Sequence, residues 1–364
     1  MVRVFHLISH FDVGGAERVA VSIAKDSHDG VEQHVVELLR ADTSYTPVFI
    51  NELKSYGIKY HRAFIPEVHF HYIFERVAAF LFPLRFIFMY FKYRPTVIHC
   101  HTEMPDLAVC LFFKLFPFAL KHTKVVRTIH NTRLWTGMKT TGKMVERFMT
   151  SRGCNISISE AVKDNYMKEY GQDTPIIYNG VGETPQKPFD GIKEGRINIL
   201  FAGRMEPQKG IKTLCEVIKM LENDNRYHFH VMGDGSLRAF AEQSIGKCDN
   251  VSLYPPVYGL SAYLSSFDYL FMPSEFEGLS IMAIEAGMES LPVIANDCPG
   301  LRDTLPPDWP LKVKNNSIDE YRKLFGEIIP HTDARQAGAT QHSFAAEHFG
   351  LKQMQQRYID VYKK

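Results

Sequence analysis

The sequence has little that would cross-link it or carry it through a membrane. Its six cysteines are scattered, with no C-x-x-C pair. That argues against a disulfide framework and predicts a reduced, cytoplasmic protein. No uncharged apolar run reaches the roughly 18 residues of a spanning helix. The nearest, Val77–Tyr93 and Leu107–Leu120, are interrupted by Pro83, Arg85 and Lys92, and by Lys114. The opening Met1-Val2-Arg3-Val4-Phe5-His6 lacks the apolar core of a signal peptide and reads as a first strand. Nor is there an excess of charge: 42 Lys and Arg against 41 Asp and Glu leave +1, so no nucleic-acid partner is expected. With 45% hydrophobic and 23% charged residues over 364 positions, the chain reads as a globular protein of two domains.

The charge is unevenly spread. Residues 1–180 hold 22 basic and 17 acidic side chains, and residues 76–152 alone hold 13 and 3. A local field of that size points to an anionic partner or surface for the N-terminal half.

Short apolar runs alternate with helical patterns. Val4–Ile8, Val35–Leu39, Thr96–Cys100, Val125–Ile129, Ile156–Ser159 and Ile176–Tyr178 read as buried strands, separated by segments such as Ala16–Lys25, His71–Tyr93 and Met138–Arg152. Around 184–195, Pro185, Pro188, Gly191 and Gly195 read as a linker. The alternation then restarts with Ile197–Ala202, a helix facing inward through Ile211, Leu214, Cys215, Ile218 and Leu221, and strands at Phe229–Met232, Val251–Tyr254, Tyr269–Met272 and Pro292–Ala295. This predicts an α/β protein: two doubly wound Rossmann-like domains facing each other across a cleft. The expected boundaries are 1–183, a linker at 184–195, 196–346, and a terminal helix at 347–364 that packs back on the first domain.

Four loops carry chemistry. Asp12-Val13-Gly14-Gly15 follows the first strand, and its glycines permit close backbone approach to a ligand at a helix N-terminus. Gly203–Gly210 follows a strand and places Arg204 and Lys209 where two cations suit a diphosphate. Gly233-Asp234-Gly235 opens a helix expected to be capped by Ser236. The densest signal is Pro273-Ser274-Glu275-Phe276-Glu277-Gly278-Leu279-Ser280 before the helix Ile281–Met288, which contains Glu285. Glu277 would precede that helix and Glu285 would lie two turns along it, with backbone N–H groups between them for phosphate.

These motifs in this order, with Leu291-Pro292-Val293-Ile294-Ala295, resemble the retaining nucleotide-sugar glycosyltransferases of family 4, which have the GT-B fold. The resemblance implies Glu277 at the donor sugar, Glu285 on the ribose hydroxyls, and Arg204 and Lys209 on the diphosphate. It places His130, in Arg127-Thr128-Ile129-His130-Asn131, near the transferred sugar. Pro256-Val257-Tyr258 matches the segment that reads the nucleobase, and Asn179-Gly180-Val181 the residues before the linker. Donor contacts are implied for Gly14, Gly15, Arg204, Lys209, Gly233, Val257, Tyr258, Glu277, Gly278, Leu279, Ser280, Ile281 and Glu285. Catalytic roles are implied for Glu277, His130, Arg204 and Lys209. His101 and Asp12 are candidates for the acceptor side. No cofactor is implied: the family needs no bound metal, and no Asp-x-Asp diphosphate motif is present.

Histidines recur in pairs at His69/His71, His99/His101 and His228/His230, each pair on one face if in a strand. They are read as strand-end polar residues rather than metal ligands. The segment Phe80–Arg94 holds more aromatics than one helix face can bury, with basic residues interleaved, and Leu107–Leu120 repeats the pattern. Docking on the cytoplasmic face of the inner membrane follows as an expectation. The chain is thus expected to transfer a sugar, from a donor that is UDP-linked, to a lipid-linked saccharide or other glycan of surface polysaccharide synthesis. The rival readings are a GT-B nucleotide-sugar epimerase, which needs no acceptor site, and a non-catalytic nucleotide-sugar binding subunit.

Overall fold

The computed structural model describes all residues except 13, 27–29 and 67–70, and the backbone alone of 71–73. Val13, His69 and Phe70 therefore lie outside the described residues, as does the His71 side chain.

The chain forms two compact units, Met1–Gly180 with Leu351–Lys364, and Val181–Gly350. In the first, β1 (Val2–Ile8), α1 (Gly15–Ala24), β2 (Val31–Glu37), α2 (Thr46–Ser55), β3 (Lys59–His61), α3 (His71–Tyr93), β4 (Val97–Cys100), α4 (Glu103–Leu115), β5 (Lys124–Ile129), α5 (Lys139–Arg152), β6 (Asn155–Ser157) and α6 (Glu160–Tyr170) follow one another. The second runs β7 (Ile197–Ala202), α7 (Ile211–Met220), β8 (Tyr227–Met232), α8 (Arg238–Ile245), β9 (Val251–Tyr254), β10 (Tyr269–Met272), α9 (Ile281–Met288), β11 (Val293–Asn296), β12 (Lys312–Val313), α10 (Ile318–Lys323) and α11 (Ala334–His348). The last helix, α12 (Leu351–Lys363), belongs to the first unit.

Each unit has one six-stranded sheet, ordered β3-β2-β1-β4-β5-β6 and β12-β11-β10-β7-β8-β9, with every pairing parallel. Strand order reverses between β1 and β4, and between β10 and β7. Loops at the carboxyl ends of those strands diverge there and leave room for a ligand. The strands are near-continuous apolar runs because helices cover both faces: Val4, Phe5, Leu7 and Ile8 are at most 1% exposed.

Two expectations change. Ile176–Tyr178 is no strand; only an isolated bridge joins Ile176 to Ser157. The segment 184–195 does not stand free. Thr184 N donates to Glu289 (2.8 Å), Phe189 N to Ser266 Oγ (3.0 Å), and Phe189 packs against Phe267. Its prolines make it extended, and its apolar residue anchors it. The short edge strands β3 and β12 escape prediction because two or three residues show no periodicity.

Helix α3 has two apolar stripes. Ala78, Ala79, Phe82, Phe86 and Tyr90 face the core. Val77, Phe80, Leu81, Leu84, Phe88 and Phe91 recur at helical spacing on the opposite side and are exposed, Phe88 at 76%. Of Phe86, Phe88 and Phe91, only Phe86 is buried. Among the described residues no helix is long and apolar enough to cross a membrane.

Candidate active site

In the second unit, the loops after β7 and β10 meet at the strand-order reversal. The Lys209 ammonium donates to Glu277 Oε1 at 2.6 Å, and the Ser274 hydroxyl donates to the same oxygen at 2.8 Å. Glu277 is only 6% exposed, so its charge is held in a low-dielectric setting by a cation and a hydroxyl. Glu277 does not cap α9. Ser280 does, its Oγ accepting from Ala283 N at 3.3 Å. The Ser280 N–H is likewise spent, on Gly300 O at 3.2 Å. Ser280 therefore builds the turn instead of offering the donors expected of it.

Backbone crossings fix this loop. Gly210 has φ +67°, and a Cβ there would lie 1.8 Å from Pro273 O. Gly300 has φ +76°, and a Cβ would lie 2.1 Å from Glu277 O. Only glycine fits both places. Glu275 N donates to Gln208 O (2.8 Å) and the Gln208 amide to Phe276 O (3.0 Å), which joins the two loops directly. Behind them, Asn296 Nδ2 donates to Ser274 O (2.8 Å) while its Oδ1 accepts from Asn316 N (2.9 Å). Asn316 Nδ2 reaches Pro273 O (2.9 Å), and Tyr321 OH holds Asn316 (2.9 Å). Sequence reasoning missed both asparagines. Asn296 carried a signal, a polar residue ending the apolar strand Ile294-Ala295-Asn296, whereas Asn316 carried none.

The remaining second-unit candidates lie in the loops after β7, β8, β9 and β10 and on α9. Arg204 is exposed in the loop that carries Lys209, Gly278 is half-buried, Leu279 is buried, and Ile281 and Glu285 are half-buried on α9. Gly233 follows β8, and its N–H meets Tyr254 O while its carbonyl accepts from Arg238. Val257 is half-buried and Tyr258 is exposed after β9. Ser236 does not cap α8: Leu237 holds that position, and Ser236 Oγ donates instead to Glu206 at 2.6 Å.

The first unit gathers imidazoles at its own reversal. His6 on β1 lies in register with His99 on β4, and His101 follows on the same face. His6 Nδ1 and His101 Nε2 are 3.1 Å apart, and His6 Nε2 meets Gln33 Oε1 at 3.0 Å. His99 meets Tyr362 OH and Thr128 Oγ1, both at 2.7 Å, and Thr128 Oγ1 meets Tyr358 OH at 2.8 Å, which ties α12 to the sheet. Burial pushes His6 down to about 4 and holds His99 and His101 well below the usual range, so all are neutral. His6, His99 and His101 each offer one ring nitrogen within 4.8 Å of the others. Those rings are engaged by one another, by Gln33 and by hydroxyls.

His101 is fully buried, so it is a wall of the core and not an exposed cleft residue. Its ring lies 5.8 Å from that of His130, which burial pushes down to about 3. Among the described residues, His101 Nδ1 and His130 Nε2 have no hydrogen-bond partner; both are buried beside a narrow recess that Thr102, Glu103 and Asn131 also line. Asp12 is half-buried after β1. Gly14 stands where a Cβ would collide with the Glu17 carboxylate, whereas Gly15 has open space. Glu37, fully buried, accepts from Phe11 N, Ala41 N, Arg62 Nε and Ala63 N and so organises the start of the Asp12 loop. It too was missed. The pair His228/His230 is structural, bonded to Ser252 and Asn198.

Two parallel six-stranded α/β units in one chain, with candidate loops at the strand reversals, define the GT-B class of fold. HepE of Anabaena, solved in complex with UDP and glucose, superposes with a TM-score of 0.80 over 100% of both chains at 16% identity. The lipopolysaccharide outer core galactosyltransferase WaaB superposes with a TM-score of 0.67 over 99% of both chains at 19% identity. Residues 13–183 match the family described as Glycosyltransferase Family 4, and residues 196–323 that described as Glycosyl transferases group 1. The chain belongs to the group 1, family 4-like glycosyltransferases. It is 27% identical over 295 residues to a 41.2 kDa protein of the cps region of Klebsiella pneumoniae, covering 73% of this chain and 78% of that one. It is 26% identical over 219 residues to a lipopolysaccharide 1,6-galactosyltransferase of Escherichia coli, covering 56% of this chain and 60% of that one.

Proposed function

We propose that the protein transfers a sugar, with retention of configuration, from a UDP-sugar to a lipid-linked saccharide in surface polysaccharide synthesis, on the cytoplasmic face of the inner membrane and without a bound metal. The observation that carries this reading is the Lys209–Glu277 pair at the strand reversal of the second unit. Relatives encoded in a cps region or acting on lipopolysaccharide support the acceptor class.

Transfer breaks the bond between the anomeric carbon and a diphosphate oxygen. Negative charge grows on the leaving phosphate, and positive charge on the sugar ring. Arg204 and Lys209 would meet the phosphate charge, an effect worth about 3–4 kcal/mol per well-placed donor. The N–H groups of Gly278, Leu279 and Ile281, at the positive end of α9, would add to it. Glu277, already oriented by Lys209 and Ser274, would accept the donor-sugar hydroxyls. Glu285 would hold the ribose, Val257 and Tyr258 the base, and Gly14, Gly15 and Gly233 would let backbone approach the donor. His130, neutral at physiological pH, suits a hydrogen bond to the transferred sugar. His101 and Asp12 stay on the acceptor side, His101 acting from within the core. The outward stripe of α3 suits the interfacial layer of a membrane.

The test is nucleotide release from a panel of nucleotide sugars, with and without membrane lipid extract, followed by NMR of the product's anomeric configuration. Release from a UDP-sugar that rises with lipid extract, and a product with the donor's anomeric configuration, are expected. No release from any nucleotide sugar would overturn the reading.

A further inference from the structure

The basic stretch 76–152 is sorted by folding in a way that its charge count hides. Of its three acids, Asp106 and Glu146 are buried on the Arg127 guanidinium and Glu103 is half-buried. Of its 13 cations, Arg127 is buried and Arg85 is half-buried, bonded to the carbonyls of Glu37 and Arg62; the other eleven are exposed. The outer surface of the stretch thus shows cations and no exposed carboxylate.

Where α4 meets α5, this surface opens into a groove of about 560 Å³, walled by Lys114 of α4 and by Thr140, Lys143, Met144, Arg147 and Phe148 of α5. The spacing 140, 143, 144, 147, 148 is one helix face. Among the described residues, Lys114, Lys143 and Arg147 are paired with no carboxylate; the acids nearest them in sequence, Asp106 and Glu146, both bond Arg127, and Glu146 also Trp135. Phe148 stacks on Phe113 at 6.1 Å and so gives the groove an apolar side. Lys114 is followed by Leu115, 55% exposed, and then by Phe118, which stacks on the exposed Phe91 of α3 at 6.0 Å. An exposed apolar strip therefore leads from the outward face of α3 to the cationic groove.

We propose that this groove seats the phosphate of an anionic lipid headgroup, with Leu115, Phe118 and the outward stripe of α3 laid in the interfacial layer beside it. Two ammonium groups, one guanidinium fork and the Thr140 hydroxyl match a phosphate with several acceptor oxygens. Apolar residues next to unpaired cations match a surface whose charge lies just outside its hydrocarbon, a combination that a free phosphate does not need. The site rests on the membrane-surface reading above but not on the identity of the donor.

The test is sedimentation of the full chain with phosphatidylcholine vesicles, with and without phosphatidylglycerol. It uses the triple variant Lys114→Gln, Lys143→Gln, Arg147→Gln and a charge-matched control, Lys219→Gln, Lys247→Gln, Lys323→Gln, which neutralises exposed cations of the second unit. Each cation at an anionic surface strengthens binding about fivefold. The groove variant should lose roughly a hundredfold in affinity for anionic vesicles, the control less than fivefold, and both should keep the wild-type melting temperature and donor turnover in solution. If the wild type ignores anionic vesicles at low salt, the membrane-surface reading fails and the groove with it. If the wild type binds and the groove variant matches the control, the groove is wrong while the membrane reading stands. Displacement of the vesicles by inorganic phosphate or pyrophosphate at equal phosphate concentration would make this a soluble-phosphate site. Equally tight, groove-dependent binding of an oligonucleotide would make it a general polyanion surface. Either result overturns the proposal.

Discussion

Lys209 Nζ lies 2.6 Å from Glu277 Oε1, although the two residues are 68 positions apart. The loop position of Lys209 suits a phosphate, and the family resemblance implies that Glu277 meets the donor sugar. The contact makes them one unit, because each holds the other's charge in place.

Lys209→Met, Glu277→Gln and the double variant should therefore show strong non-additivity. Each single change should cut turnover roughly a hundredfold or more, and the double should be no more than a few-fold worse than the worse single. Lys209→Met should also lower stability by about 1–3 kcal/mol, because it leaves a buried carboxylate without its cation. Arg204→Ala, at an exposed position, should lose turnover with an unchanged melting temperature. Steady-state donor kinetics with parallel melts decide this. Multiplicative losses would separate the two residues' roles.

Glu285 is half-buried on α9, one turn into the helix and not the two turns expected from sequence. A contact to the ribose is present in both ground and transition states. Glu285→Gln should then raise the donor KM more than it lowers kcat, while Glu277→Gln should chiefly lower kcat. The reverse pattern would exchange the two assignments.

The imidazole cluster predicts acid sensitivity. Burial pushes His6 down to about 4 and His130 to about 3, and holds His99 and His101 well below the ordinary value near 6.5. Between those values the unfolded chain takes up protons that the folded chain refuses. Their stabilising contribution is complete above about pH 6.5 and is lost as pH falls toward 4, at about 1.4 kcal/mol per group per pH unit. Asp106, pushed up to about 7 by burial, opposes this over the same range, as do Glu17 and Glu103, which burial also raises; His61 and His228, pushed down to about 4, and His230, to about 3, add to it. Melting temperature should therefore fall steeply from pH 6.5 to 4, and less steeply in His99→Gln. A flat profile across that range would rule the explanation out.

Metal independence is tested by chelation. Transfer should survive EDTA, because the leaving diphosphate is assigned to Arg204, Lys209 and backbone N–H groups. Loss in EDTA that Mg²⁺ or Mn²⁺ restores would require a different account of the leaving group.

Much of the fold was legible because period and composition are local properties. Val251–Tyr254, Tyr269–Met272 and the helix Ile281–Met288 are found at the bounds their patterns predict. Parallel pairing follows from βα alternation with right-handed crossovers, whereas the places where strand order reverses are set by tertiary packing. What failed was equally local: Ser236 has the right residue type for a cap, but the Glu206 carboxylate competes for its hydroxyl. Ile176–Tyr178 is apolar enough for a strand, yet forms only one bridge.

The sequence by itself determined the α/β class, the loops that carry Arg204, Lys209, Glu277 and Glu285, and the family, since each rests on residue types at short separations. Only the tertiary structure decided that Lys209 reaches Glu277, that Asn296 and Asn316 brace their loop, that His101 is buried, and that the acids of residues 76–152 are buried or half-buried while eleven of its cations face out. Those outcomes depend on burial and on contacts between residues tens of positions apart. Pairing and desolvation, which set the energy of a charge, follow its surroundings in space and not its neighbours in the chain.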